Sequence, residues 1–272
     1  MFAHWNRLCS RLAIAIALTW LCSSLTAAEY VKPPKGGEYN AKDQTVEMFA
    51  AIEKGDIAVK LIPKDSTQCR VLIENKTDKP LNVKLPEAFA GVPVLAQVNN
   101  PVGGNNNNNQ MQGMGGGMGG MGMGGTGMGG MGGGGMGGGG FFNVAPEKVG
   151  QFKVATVCLE HGKAEPKPIP YQIKPIDTFT SKPGVRELCQ ALAAGQIGQR
   201  AAQAAAWHLN NDMSWEQLAA KRLRFANGTS RPYFTQEELQ GGMQVAAVAV
   251  KVAEERQKQP PSPGTSASAS QN

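Results

Sequence analysis

The side chains whose type and spacing point most directly to chemistry are eight methionines. Met111, Met114, Met118, Met121, Met123, Met128, Met131 and Met136 recur at intervals of two to five residues within a run, 103–140, that is otherwise almost only glycine and asparagine. They are eight of the chain's 12 methionines. Thioethers are soft ligands and suit Cu(I) or Ag(I). A pliant chain that wrapped three or four of them around one ion would make a metal centre. Ordering so many glycines would cost on the order of 1–2 kcal/mol per residue. The run contains no His or Cys to add affinity. The preferred reading is therefore a spacer that needs no cofactor, with copper binding as its rival and an adaptable methionine surface for partners as a third.

Five cysteines are present, and Cys9 and Cys22 fall in the first 28 residues. Cys69 and Cys158 each sit on the apolar face of an expected strand. A Cys69–Cys158 disulfide, which an exported protein can form, stands beside the alternative of two buried thiols. Cys189, next to Leu188 and near Leu192, reads as a small core residue. Cys158-Leu159-Glu160-His161 has the gap of half a zinc site, but the other half is missing, so a surface His161 is preferred. His208, beside Trp207, reads as packed or half exposed. No nucleophile elbow, zinc-protease helix or phosphate loop is present. No catalytic residue is therefore named, although a hydrolase that gathers carboxylates from distant positions is kept as an alternative.

Lys221-Arg222-Leu223-Arg224-Phe225, followed by Arg231, Tyr233 and Phe234, is a basic cluster among aromatics. It could hold an anionic envelope polymer or an acidic partner. The plainer reading, a solvated helix end where cations suit the dipole, is preferred.

The elements that must position these residues begin with a leader. Arg7 and Arg11 precede an apolar stretch, 12–22, too short to span a bilayer, and Thr26-Ala27-Ala28 offers small residues for cleavage. Residues 1–28 are expected to be a signal peptide, so the mature chain would be periplasmic or extracellular, with no transmembrane segment. The formal net charge of +6, two of it carried by Arg7 and Arg11, is no nucleic-acid signature.

Residues 29–44 form a polar lead expected to be disordered, and 45–54 a short helix stopped by Gly55. Apolar residues then alternate with polar ones. Strands are expected over 57–62, 69–74, 81–85, 92–98, 141–144, 150–159 and 171–176. Residues 75–80, Asn-Lys-Thr-Asp-Lys-Pro, read as the turn of a hairpin between the second and third of these. The expected fold is an antiparallel β-sandwich over 45–177, interrupted by a disordered Gly/Met-rich loop at 103–140. From 182 to 258 the pattern is helical, with capping boxes at Ser214–Gln217 and Thr235–Glu238, and predicts a small α-helical domain of roughly four helices. Residues 259–272 form a Ser/Pro/Gly tail expected to be disordered.

The segment Ile73-Glu74-Asn75-Lys76-Thr77-Asp78-Lys79-Pro80-Leu81 resembles the asparagine-turn-proline strand pairs of bacterial immunoglobulin-like domains. With the leader, the Met-Gly run and the Ala/Trp-rich helical end, the chain resembles exported proteins of planctomycete-type bacteria, a family with no known activity. That resemblance implies an Ig-like sandwich and transfers no site residue. The function expected is that of an exported, non-catalytic structural or protein-interaction protein of the cell envelope, with an envelope protein or anionic polymer as partner.

Overall fold

The computed structural model describes residues 37–94, 111–119 and 140–258. The leader 1–28, the tail 259–272, and Met121, Met123, Met128, Met131 and Met136 lie outside the described residues. Part of the polar lead is ordered, against expectation. The Asn143 side-chain amide donates to Asp43 Oδ2 (2.8 Å) and to Asn82 Oδ1 (2.9 Å), while the Asn82 amide donates to the carbonyls of Asn40 and Asp43. Both asparagines are buried. Each amide satisfied here removes the penalty of a dry polar group. These bonds tie 40–43 to two strands, so the segment does not need an apolar face to be held.

Strand β1 (Gln44–Glu47) runs straight into helix α1 (Met48–Lys54). The helix starts later than 45 because 44–47 pairs, parallel, with β4 (Leu81–Lys84). Gly55 ends it as expected, in the left-handed conformation, its N–H turned back to the last turn. Only glycine takes up that conformation without a steric cost. β4 in turn pairs antiparallel with β7 (Phe141–Val144), completing a small three-stranded sheet.

The sandwich expectation is overturned. Six antiparallel strands close into a barrel in the order β2 (Ile57–Pro63), β3 (Gln68–Asn75), β8 (Val149–Cys158), β6 (Met114–Gly116), β5 (Phe89–Pro93) and β9 (Tyr171–Pro175), with Leu61 of β2 opposite Tyr171 of β9 at the seam. Leu61, Cys69, Val71, Ile73, Phe89, Met114, Val154, Tyr171 and Ile173 are buried in one cluster. A small barrel is filled by side chains in this way and leaves no free strand edge.

Two local features turn a sandwich pattern into a barrel. The expected hairpin of 69–74 with 81–85 does not form: β3 pairs with β2 and β8, and β4 belongs to the other sheet. Asn75, 1% exposed, makes the corner. Its amide donates to the carbonyls of Lys79 and Val144, and its Oδ1 accepts from the N–H and hydroxyl of Thr77. The asparagine turn is real, but it carries the chain from one sheet to another.

The second feature lies inside the Gly/Met run, which is not a loop throughout. Residues 114–116 form β6, which fills the gap between β5 and β8, with Met114 opposite Cys158 and Gly116 opposite Phe89. Met114 and Met118 are 0% and 1% exposed. The glycines beside them permit close packing. A Cβ on Gly117 would fall 2.2 Å from the Glu87 carbonyl oxygen and 2.7 Å from Ala193 Cβ. Glu160 latches the near end, Oε2 accepting the Gly113 N–H at 2.8 Å.

The helical end matches its pattern more closely. After α2 (Ile176–Phe179) come α3 (Val185–Ala193), α4 (Gln199–Asn211), α5 (Trp215–Ala220) and α6 (Gln236–Lys258). Both capping boxes form: Ser214 with Gln217, and Thr235 with Glu238. Small residues bring α4 and α6 together, a Cβ on Gly242 lying 3.1 Å from the Ala201 carbonyl. Ala90, Val157 and Leu159 of the barrel share one apolar cluster with Val185, Leu188, Cys189 and Ala246 of the helices. Among the described residues, no helix is long and apolar enough to cross a membrane.

Candidate functional site: a cationic strand face

The helices pack on the β6 side of the barrel wall. On β2, β3 and the start of β8 the outward side chains of Lys60, Lys64, Arg70, Gln151 and Lys153 are exposed. The register makes that face a grid. Inward residues such as Leu61, Cys69, Val71 and Val154 are buried. The residues between them therefore point out. Lys60 on β2 neighbours Leu72 on β3, which neighbours Gln151 on β8; in the adjacent row Ile62 neighbours Arg70, which neighbours Lys153. Lys64 follows one step beyond β2, its N–H donating to the Gln68 carbonyl.

Arg70 and Lys153 are thus directly opposite each other on paired strands. Such partners have Cβ atoms about 5 Å apart, where like charges destabilise a sheet. None of Lys60, Lys64, Arg70 and Lys153 makes an ion pair among the described residues. Asp65, in the turn after Lys64, is occupied: its Oδ1 accepts from the hydroxyl and N–H of Thr67 and the N–H of Gln68. The Thr67 hydroxyl holds that carboxyl below its usual range, so it stays ionised. Glu74 is the acid on the grid itself, further along β3 and opposite Ala58 and Val149. Ile62, Lys64, Gln68, Arg70, Gln151 and Lys153, with Pro168 beside them, line a groove of about 640 Å³. A cavity lined by Lys64, Arg70 and Lys153, with Ile62 and Pro168 beside them, can hold an anionic chain.

Of the residues singled out from sequence, Met114 and Met118 are core side chains of the barrel, and Met111, partly buried, packs against the same cluster. These three are fixed in the barrel wall and core, so the run does not offer eight loose thioethers. Cys69, Cys158 and Cys189 are all buried and unbonded. Of the two readings of Cys69 and Cys158, buried thiols hold and the disulfide is absent, because Cys69 is opposite Val154, four residues short of Cys158 along β8. Four strand residues span roughly 13 Å, well beyond the reach of a disulfide. Burial pushes the thiols of Cys69 and Cys189 up to about 12, and that of Cys158 up as well. They are inert as nucleophiles at neutral pH.

Of the basic cluster at 221–225 only Lys221 stands at a helix end, as the C-cap of α5. α5 stops at Ala220, and β10 (Arg222–Arg224) turns back as a two-stranded hairpin with β11 (Ser230–Pro232). Arg222 donates to Ser230, and Arg231 lies over the Phe225 ring at 5.7 Å. His208 stacks on Trp215 at 4.4 Å, with its Nδ1 2.8 Å from the Met213 carbonyl oxygen.

One meeting of residues was invisible in the chain order. His161, just beyond β8, has its Nε2 2.9 Å from Lys221 Nζ. Burial, then the Lys221 charge, lowers the His161 pKa, and burial lowers that of Lys221. The four grid cations were missed for a related reason. Each sits at a polar position of an alternating strand or just past its end, but which strands would be neighbours was hidden. Among the described residues no group of three or more His, Cys, Asp or Glu gathers as a metal site would require. Comparison with protein families, with curated proteins and with solved structures finds no match to this chain.

Proposed function

We propose that this is an exported, non-catalytic interaction protein of the cell envelope, and that it holds an anionic polymer in the groove of β2, β3 and β8. The observation that carries the reading is the Arg70–Lys153 pair, two cations opposed across a strand ladder with no carboxylate between them. Placing them together costs stability, and a ligand anion that bridges them would offset it. The export half of the reading rests on the leader, with its Arg7 and Arg11 and the apolar stretch that follows. Cations spread over neighbouring strands of one face suit an extended chain laid across them.

The test is a titration of the mature protein with fluorescently labelled polyglutamate. Binding should weaken steadily as salt rises from about 50 to about 500 mM, over which the screening length falls from roughly 14 to roughly 4 Å. Affinity that is absent at low salt, or unchanged across that range, would rule out this reading.

A further inference from the structure

The geometry points to Lys221 as a reactive amine that captures small carbonyl compounds as imines, with His161 as the base that frees it. The site is separate from the cationic groove and does not depend on it. Three segments converge to build it. His161 follows the end of β8, its own N–H held by Asn211 Oδ1 at 3.1 Å. Lys221 caps α5, and its carbonyl accepts the N–H of Tyr233 at 2.8 Å. Trp207 comes from α4, with the His161 ring edge-on to it at 4.8 Å.

Lys221 differs from the three lysines that form ion pairs among the described residues. Lys54, Lys163 and Lys182 each sit within 3.0 Å of a carboxylate oxygen. Lys221 makes no ion pair among the described residues. Glu165 acts on it only through space. Its Nζ is 5.1 Å from the centres of both the Trp207 and Tyr233 rings and 2.9 Å from an imidazole nitrogen. A nucleophile with a base in contact and aromatic walls beside it is the arrangement that amine chemistry needs. Both side chains are half-buried, so part of each is open to solvent. Burial favours the neutral amine and outweighs the opposing through-space pull of Glu165.

The chemistry balances without an oxidant. The ammonium gives a proton to His161 Nε2. The freed amine pair attacks the carbonyl carbon as the C=O π pair moves to oxygen, which takes the proton back from the imidazolium. The carbinolamine nitrogen then carries two protons: His161 passes one to the hydroxyl, which leaves as water while the C=N bond forms, and takes the other for release to solvent. One ammonium and one carbonyl compound give one imine, one water and one proton.

The experiment is reductive labelling of the full mature chain with benzaldehyde and sodium cyanoborohydride, read by peptide mass mapping over a range of pH. Lys251 is exposed and serves as the reference. Lys221 should be labelled about tenfold faster than Lys251 near neutral pH, and its rate should persist to lower pH. His161→Gln should bring Lys221 down to the rate of Lys251. Equal rates for Lys221 and Lys251 in the wild-type chain would overturn the proposal, whatever the variant does. A fast Lys221 that is unaffected in a folded His161→Gln chain would overturn the role given to His161. Polyglutamate binding is unaffected by either result, so the two readings fail separately.

Discussion

Gly115 and Cys189 approach so closely that a Cβ added to the glycine would lie 2.9 Å from the cysteine sulfur. This contact places α3 on the glycine-rich strand and explains why that strand tolerates no side chain on its outer face. Gly117 is tighter still, its missing Cβ facing backbone at 2.2 Å. Gly115→Ala and Gly117→Ala should each lower stability by about 1–3 kcal/mol, with Gly117 the worse. At Gly119 the nearest atom to an added Cβ would be 3.5 Å away. That position should accept Ala within about 0.5 kcal/mol. Urea unfolding of the three variants checks this, and equal tolerance at all three would mean that β6 does not pack beneath α3.

The methionines of the run should divide by burial. Met243 on α6 is 41% exposed, whereas Met114 and Met118 are buried. Brief peroxide treatment of the folded protein should oxidise Met243 and spare the other two. Met114→Ala should cost about 2–5 kcal/mol, as for other buried methionines. Rapid sulfoxide formation at Met114 in native protein would place β6 outside the barrel.

The thiols make a prediction at the alkaline end. The folded chain keeps Cys69 and Cys189 protonated up to about 12, whereas the unfolded chain releases these protons near 9. Between those values the folded state binds more protons, so stability is complete below about 9 and falls as pH climbs toward about 12. Below that window iodoacetamide should label none of the three cysteines until urea unfolds the chain. Fast alkylation of the native protein at neutral pH would contradict their burial.

His161 makes the opposite prediction at the acid end. Its folded pKa lies below the ordinary 6.5, chiefly through burial and then through Lys221. The unfolded chain therefore binds the proton first, and stability is complete above about 6.5 and declines as pH falls below it. His161→Gln should flatten that decline in a urea-midpoint series from about pH 7.5 to about pH 5. An equal decline in both chains would assign the acid sensitivity elsewhere.

What could be read from the sequence follows the range of the interactions involved. The helices of the C-terminal end were legible because their signals are local: Ser214 reaches Gln217, and Thr235 reaches Glu238, within one turn. The strands were legible from alternation, but not their partners. Asn75 looks the same whether it turns a hairpin or carries the chain to another sheet, since the deciding bond is to Val144, 69 residues away. β6 was unreadable for a different reason. Its glycines lack the branched side chains that mark a strand. They are in place because of Cys189, Leu159 and Glu87, which the chain brings in from elsewhere. The cationic face was half legible, as Lys60, Arg70 and Lys153 at polar strand positions, but the opposition of Arg70 and Lys153 exists only in the barrel register.

That opposition gives the most direct test of the functional reading. Arg70→Glu turns a like-charged cross-strand pair into an opposite one, which should raise stability by roughly 0.2–1 kcal/mol. The same change removes one groove cation and adds an anion, so polyglutamate affinity at about 50 mM salt should fall at least about tenfold. The measurement is the binding isotherm of Arg70→Glu beside the wild-type chain, with the urea midpoint of each recorded alongside. A variant at least as stable as the wild type that has lost the polymer is the predicted result. A variant that binds as tightly as the wild type would contradict the claim that this face is the site.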